Sequence, residues 1–169
     1  MAAFEPVWIT TSEHLSKFYA IYKQTSPLAQ FFGAYGTLEG FPHVHMYWGI
    51  FSFFRFPMVL IANGRASINA QGLDFKSTPM ILPGSKVNHL RTDLNFYLPA
   101  GELVSVERQT ITSPVMQYYN IPFTRIHSRS AGLLSDFLVC AGGSGPFMGK
   151  IKSRSEELFI ALEELTRPA

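Results

Sequence analysis

Short apolar or alternating segments, separated by turns rich in glycine and proline, make up most of the chain after residue 57. Segment 103–111 alternates valine with polar residues, which is typical of a strand with one buried face. Strands this short need neighbours to satisfy their backbone hydrogen bonds, so the pattern predicts a sheet. The predicted strands are residues 58–69, 73–77, 94–98, 103–111, 121–128, 136–142 and 146–151.

Residues 153–165 predict an amphipathic helix that follows these strands. Ser153 and Glu156 have the spacing of a capping box at the helix start, and Pro168 lies beyond its end. The apolar stripe of the helix consists of Leu158, Phe159, Leu162 and Leu165. A single helix of this length is not stable alone in water, so we expect the stripe to lie on the core of the sheet.

This order of strands and helix resembles the pleckstrin-homology superfold and its GRAM-like members. The resemblance spans residues 57–166 and is carried by GRASINAQGLDF at 64–75, GELVSVER at 101–108 and KIKSRSEELFIALEEL at 150–165. It implies an α+β, mainly β fold, in which an open barrel of about seven antiparallel strands is capped by a C-terminal helix. Members of the superfold bind phosphoinositides, peptides or other proteins, so the resemblance implies a binding module and names no ligand.

Residues 1–56 fall outside this pattern. We therefore divide the chain into an N-terminal extension, residues 1–56, and a pleckstrin-homology-like domain, residues 57–169. Residues 11–24 predict a helix with Thr11 or Ser12 as its cap, and residues 41–56 form an aromatic segment. Seven of the fifteen phenylalanines lie between residues 31 and 56, so we expect burial on the barrel, in a partner subunit or at a membrane surface.

Residues 41–62 are long enough to cross a bilayer. Arg55 lies inside this segment, where a charged side chain costs roughly 2.5–3.5 kcal/mol at the centre of a membrane helix. Pro57 follows, and the composition is aromatic and β-branched, as in buried strands. We therefore expect a soluble domain, with contact at a membrane surface as the alternative.

Charge and composition limit the classes of partner. The formal net charge is +2, and residues 100–169 carry seven acidic and seven basic residues, whereas nucleic-acid-binding domains concentrate basic charge on one face. Nucleic acid is therefore not an expected partner. An aromatic content of 14% excludes intrinsic disorder, and a single cysteine, Cys140, excludes a disulfide scaffold. The first residues have neither the basic nor the apolar region of a secretory signal, so we expect a cytoplasmic location.

His43 and His45 are the strongest metal-site candidates, because alternate residues of an extended segment share one face. A third ligand could come from His14, His89 or His127. Zinc sites need three or four fixed ligands, and no carboxylate or cysteine stands at ligand spacing from the pair. Ordinary polar residues are therefore the favoured interpretation. A metal-dependent enzyme using His43 and His45 stays open as an alternative, as does a carrier of a small apolar ligand.

Two other features of the sequence are better explained by a structural role than by a catalytic one. Cys140 lies in an apolar predicted strand, where a cysteine usually acts as a small hydrophobic residue. The glycine-rich segment 142–150 ends in Lys150 without the spacing of a phosphate-binding loop, and a hairpin turn accounts for it better. The sequence therefore predicts a protein that is not an enzyme, with no catalytic residues, no cofactor and no metal.

The remaining candidates are basic residues at alternating positions. Arg125, His127 and Arg129 alternate along one predicted strand, and Lys150, Lys152 and Arg154 alternate near the helix start. These six residues are the candidates for a patch that binds phosphate groups or an acidic peptide, and a solvated barrel face is the favoured interpretation of them. The hairpin loop NAQG at 69–72 contains no lysine or arginine, which argues against specific phosphoinositide recognition. The sequence thus predicts a binding module for a protein partner or a second copy, with peripheral membrane contact as a further role.

Overall fold

The computed structural model of the protein describes residues 1–24, 34–38, 41–48, 60–79, 90–112, 120–142 and 150–167. Within these residues the chain forms strands, two α-helices and two short 3-10 helices. The strands are β1 (Ala2–Thr10), β2 (Ala34–Leu38), β3 (Phe41–Trp48), β4 (Ala62–Asn69), β5 (Gly72–Ser77), β6 (Asn95–Pro99), β7 (Leu103–Thr112), β8 (Asn120–Ser128) and β9 (Asp136–Ala141). The helices are α1 (Ser12–Gln24), η1 (Ala100–Glu102), η2 (Gly132–Ser135) and α2 (Ile151–Thr166).

Seven of these strands form one antiparallel sheet that curls into a half-barrel, in the order β6-β5-β4-β1-β9-β8-β7. The strands β2 and β3 pair with each other as a separate hairpin. The C-terminal helix α2 packs on β7, β8 and β9. The predicted fold class, a mainly β open barrel of about seven antiparallel strands with a C-terminal helix, is therefore confirmed.

The strand at the centre of the sheet, β1, comes from the N-terminus of the chain. It pairs with β4 on one side and with β9 on the other, so that Trp8 lies opposite both Asn63 and Cys140. Residues 7–10 are all buried, which means that both faces of the strand are covered there. The sheet therefore contains residues from both of the predicted segments, 1–56 and 57–169.

Six of the predicted strands overlap β4 to β9, and the prediction for residues 146–151 is wrong at its end. Ile151 begins α2, while residues 146–149 lie outside the described part of the chain. The strand that completes the sheet is β1, which the sequence pattern does not predict. The reason is that Glu5 and Pro6 interrupt its apolar residues, and its last four residues, which are all buried, do not alternate.

The dipeptide Asn63-Gly64 is typical of a bulge or a tight turn, whereas Gly64 lies within β4, opposite Val7 of β1 and Ser77 of β5. The irregularity lies on the neighbouring strand, between Phe4 and Val7 of β1. A Cβ atom at residue 64 would collide with the Lys76 carbonyl oxygen and the ring of Phe75. Glycine is needed here because a backbone and an aromatic ring approach too closely for any side chain.

The helix α1 begins as predicted. The backbone N–H of His14 donates to Oγ1 of Thr11 at 3.1 Å, so Thr11 caps the helix. The described helices include none with the length and apolar character needed to cross a membrane. The segment 49–59, which holds Arg55, lies outside the described residues.

The predicted capping box of the last helix is wrong, because α2 begins earlier than expected. Lys150 precedes the first helical residue in a left-handed conformation, with φ of 66°. The Ser153 hydroxyl donates to the Lys150 carbonyl at 3.1 Å, and the Glu156 carboxylate binds Arg108 of β7. The predicted apolar stripe is confirmed: its buried members are Leu158, Phe159 and Leu162, and Leu165 packs against the core.

Candidate functional site

The first half of the predicted basic patch lies on β8. Arg125 and His127 are half-buried on the same face of the strand, and both approach Asp136 of β9. The guanidinium of Arg125 forms two hydrogen bonds to the Asp136 carboxylate, at 2.9 and 2.6 Å. Arg129 is exposed and donates to the Gly101 carbonyl at 3.3 Å.

The ion pair of Arg125 with Asp136 neutralises most of this half-patch. The hydrogen bonds from Arg125 hold the pKa of Asp136 below its ordinary value, and the same bonds raise the pKa of Arg125. Glu107 of β7 lies directly opposite Arg125 and brings a second carboxylate close to it. The β8 face is therefore a mixed-charge surface, which weakens the prediction of an anion site there.

One cross-strand row of this face contains the residue types of a nucleophilic triad. Ser105 of β7 lies opposite His127, and His127 lies opposite Asp136. The contacts differ from those of a triad, because the Ser105 hydroxyl donates to Glu107 at 3.4 Å and Asp136 is engaged by Arg125. His127 Nδ1 stands 3.7 Å from Asp136 Oδ1, which is longer than a hydrogen bond.

The second half of the predicted patch surrounds the start of α2. Lys150 and Lys152 are exposed, whereas Arg154 is partly buried and binds backbone carbonyls. Its guanidinium donates to Gly142 at 3.0 Å and to Glu5 at 2.6 Å. These acceptors are neutral, so the positive charge of Arg154 is retained while its side chain is fixed in place.

No hydrogen bond or ion pair within the described residues joins the three patch residues of β8 to the three at the start of α2. The two groups have different roles. Arg125 ties β8 to β9, Arg154 ties α2 to β1, and Arg129, Lys150 and Lys152 are exposed cations. The contacts therefore do not join the six residues into a single patch. The use of these residues as a binding surface stays a prediction.

The structure describes the cysteine of the nucleophile alternative, but it does not describe the side chains of the two histidines of the metal alternative. Cys140 is buried with its Sγ atom 3.3 Å from the Ser155 hydroxyl, and burial raises the pKa of this thiol to about 12. A thiol with such a pKa is not a nucleophile at neutral pH. His43 and His45 lie in β3, and their side chains lie outside the described part of the structure. His89 also lies outside the described residues. Among side chains that the structure describes, no three of His, Cys, Asp or Glu form a group that could hold a metal.

The strand β7, of ten residues, stands at one end of the sheet. Within the described ranges β7 has one strand neighbour, β8, so the other edge of its backbone faces away from the sheet. Val104 on this strand is 57% exposed and lies where the register between β7 and β8 shifts, between Leu103 and Ser105.

The helix α2 packs on β7 as well as on β8 and β9. Arg108 of β7 binds the Glu156 carboxylate at 2.5 and 3.1 Å and lies over the Phe159 ring, with 3.6 Å between the guanidinium carbon and the ring centre. Ile160, the next residue of α2, is 45% exposed. We call the surface between β7 and α2, bounded by Val104, Arg108, Glu156, Phe159 and Ile160, the edge groove.

The direction of α2 follows from its contacts. Residues Arg154 and Ser155 bind Gly142 and Ala141, Glu156 binds Arg108, and the helix also contacts η1, which precedes β7. The helix therefore runs from Arg108 back towards the start of β7. A rise of about 1.5 Å per helical residue and about 3.3 Å per strand residue places Ile160 between the levels of Arg108 and Val104.

A second surface lies on the other half of the sheet. Arg65 of β4 is directly opposite Lys76 of β5, and both side chains are exposed. Four other described arginines have a carboxylate partner: Arg91, Arg108, Arg125 and Arg167. Arg65 has none within the described residues, and the nearest carboxylate to Lys76 is that of Asp74, at 4.0 Å. Adjacent like charges in a sheet are unfavourable unless an anion joins them.

Comparisons with protein-family models, with curated proteins and with solved structures find no match. The resemblance to the pleckstrin-homology superfold therefore stays a prediction.

Sequence reasoning missed the edge groove. The alternation of segment 103–111 predicts the strand, and Val104 belongs to it. Nothing in the sequence states that this strand stands at the end of the sheet, because strand order depends on pairing between distant segments. The nearest signal is the sequence Glu107-Arg108 in the middle of the strand, since charged residues are typical of sheet edges.

Proposed function

We propose that this protein is a non-catalytic binding module that holds an extended segment of a partner protein in the edge groove. The observation that carries the proposal is the ten-residue strand β7, which has one strand neighbour among the described residues and an exposed valine in its first half. A partner segment that pairs with β7 satisfies the backbone groups of that edge. Its location, expected in the cytoplasm or at a membrane surface, belongs to the same proposal.

The side chains around the edge support this use. Phe159 is buried under Arg108, so the floor of the edge groove is formed by a packed aromatic ring and a guanidinium held in place by Glu156. Val104 and Ile160 expose apolar surface at the two sides. Rigid apolar and arginine side chains, next to a strand edge that has no strand partner among the described residues, are the kind of groups that dominate binding energy at protein interfaces.

The test is a selection of random twelve-residue peptides on the full chain by display, followed by titration of the selected peptides. We expect binding that perturbs backbone amide NMR signals of residues 103–109 and weakens at least tenfold in the V104K/I160K variant. The matched control is Y97K, since Tyr97 is 50% exposed on β6 at the opposite end of the sheet. Peptides that bind V104K/I160K as well as the unmodified protein, or that perturb other strands instead, would overturn the proposal.

The pair of Arg65 and Lys76 favours a second candidate function, contact with an anionic membrane surface. Two exposed cations on neighbouring strands can share one lipid phosphate, and such contact weakens as salt increases. Sedimentation with vesicles of phosphatidylcholine, with and without phosphatidylserine, tests it. We expect salt-sensitive binding to the anionic vesicles that R65Q/K76Q loses and R91Q retains, because Arg91 already pairs with Asp93. Equal sedimentation of R65Q/K76Q and the unmodified protein would remove this candidate.

A further inference from the structure

The dipeptide Asn63-Gly64 can react with itself. None of the other asparagines, at residues 69, 88, 95 and 120, precedes a glycine. Because residue 64 has no side chain to hinder its main-chain nitrogen, this nitrogen can attack the side-chain carbonyl carbon of Asn63. A C–N bond forms in a cyclic imide, while the bond to the amide nitrogen breaks and releases ammonia with the proton of the attacking nitrogen. Water then adds to either carbonyl of the imide and opens it to aspartate or isoaspartate.

Both residues of the dipeptide are needed by the fold. A Cβ atom at residue 64 would collide with the Lys76 carbonyl oxygen and the Phe75 ring. The side-chain nitrogen of Asn63 donates to the Thr78 hydroxyl at 3.2 Å and to the Thr78 carbonyl oxygen at 3.4 Å. The Asn63 carbonyl oxygen accepts from the Thr78 N–H at 2.8 Å, so Asn63 connects β4 to the residue that follows β5. Packing and hydrogen bonding thus account for the presence of a reactive pair in β4.

The native position of the dipeptide opposes the reaction. Asn63 is 6% exposed and lies opposite Trp8 of β1. Gly64 lies opposite Val7 of β1 and Ser77 of β5. Ring closure needs rotation about the bond between Cα and the carbonyl carbon of Asn63, out of the extended conformation of a strand. Strand pairing on both sides prevents that rotation, so β4 must leave the sheet before the Gly64 nitrogen can reach the side chain.

We propose that Asn63 is a deamidation site that the folded sheet protects and the unfolded chain exposes. The aspartate product does not fit the native position. An oxygen in place of the side-chain nitrogen of Asn63 faces the Thr78 carbonyl oxygen, which is also an acceptor. Among the residues that the structure describes, no group donates a hydrogen bond to Oδ1 of Asn63. One carboxylate oxygen therefore lacks a donor there, and the negative charge is buried.

The isoaspartate product is also incompatible with the sheet. In isoaspartate the main chain passes through the side-chain carbon atoms, which adds a backbone atom to β4. The hydrogen-bonding groups that follow then lose their register with β1 and β5, the two neighbours of β4. Chains that react while they are unfolded therefore do not return to the native sheet. Asn63 thus limits how long the chain can stay unfolded and still refold.

The first experiment incubates the full chain at pH 8, with and without urea, and measures deamidation of each asparagine by peptide mass spectrometry. In urea we expect Asn63 to react faster than the other asparagines. Without urea we expect Asn63 to react at least about tenfold more slowly, because the reaction requires opening of the sheet. After the urea is diluted, size-exclusion chromatography should find modified residue 63 depleted from the folded fraction. Equal rates in the two conditions, or equal proportions of modified residue 63 in the folded and unfolded fractions, would overturn the proposal.

Variants separate the chemistry from the fit of the product. In urea, G64A should deamidate at Asn63 more slowly than the unmodified protein, because the new side chain hinders the attacking nitrogen. N63D should unfold at a lower urea concentration than N69D, or fail to fold. Asn69 is the matched control, since it is exposed at the end of β4 and its Oδ1 accepts from the Gln71 N–H, a role that a carboxylate can also take. An unchanged rate for G64A, or equal unfolding midpoints for N63D and N69D, would contradict the proposal.

Discussion

The guanidinium of Arg154 joins the start of α2 to the first strand of the chain. Nη2 donates to the carbonyl oxygen of Glu5 at 2.6 Å, and Nη1 donates to that of Gly142 at 3.0 Å. The paired part of β9 ends at Ala141, opposite Val7, so Arg154 satisfies backbone acceptors at the point where the ladder between β1 and β9 ends. One side chain therefore connects the N-terminal strand, the last strand and the C-terminal helix.

Replacement of Arg154 by alanine should destabilise the protein by about 1–3 kcal/mol, since hydrogen bonds from a charged donor to carbonyl groups would be lost. Urea unfolding followed by circular dichroism measures this change. The matched control is R167A at the other end of α2. Arg167 pairs with Glu163 on the surface, so its replacement should lower the free energy of unfolding by less than about 0.5 kcal/mol. Equal unfolding midpoints for the two variants would contradict a structural role for Arg154.

Replacement of Asp136 by asparagine should lower stability at pH 6 by about 1 kcal/mol, because a half-exposed ion pair with two hydrogen bonds is lost. The pKa of Asp136 is lowered in the folded state, so the pair stabilises the protein above the unfolded pKa of about 3.9. That contribution disappears as the pH falls through the folded pKa. Urea unfolding at pH 6, 4 and 3 should therefore show the difference between D136N and the unmodified protein shrinking; a constant difference would refute this account.

The thiol of Cys140 should resist alkylation in the folded protein. Burial raises its pKa to about 12, so the reactive thiolate is scarce at pH 8 and the sulfur is shielded by the surrounding core. Since Cys140 is the one cysteine in the chain, mass spectrometry after iodoacetamide treatment reads a single site. We expect full modification in urea and almost none without it. Rapid modification of the native protein would show that Cys140 is accessible.

Replacement of Gly64 by alanine should destabilise the protein by about 1–3 kcal/mol, because the new Cβ atom collides with the Lys76 carbonyl and the Phe75 ring. The control is G101A, since a Cβ atom at residue 101 meets nothing within 4 Å. Thermal unfolding of the two variants checks the prediction. If G64A is as stable as G101A, the strands β4 and β5 can move apart without lowering the free energy of unfolding, and the prediction is wrong.

The sequence by itself predicts most of the barrel. Alternation in segments such as 103–111, and a short apolar run in segment 136–142, identify six strands. The stripe containing Leu158 and Leu162 identifies α2, since a helix with one buried face repeats its apolar residues every turn. These are local patterns, and one segment of chain is enough to show them.

Other features were decided by the tertiary structure alone. The strand β1 is central, yet Glu5 and Pro6 interrupt its apolar residues and its buried end does not alternate, so neither strand pattern marks it in the sequence. The basic residues of β8 were visible as a pattern, yet the cross-strand neighbour Asp136 decided that Arg125 is an ion-pair partner.

The edge groove likewise depends on strand order, which places β7 at the end of the sheet beside α2. The common physical reason is that pairing between strands far apart in sequence is set by the packing of the whole sheet. Local alternation reports which face of a segment is buried, and it contains no information about which segment lies next to it.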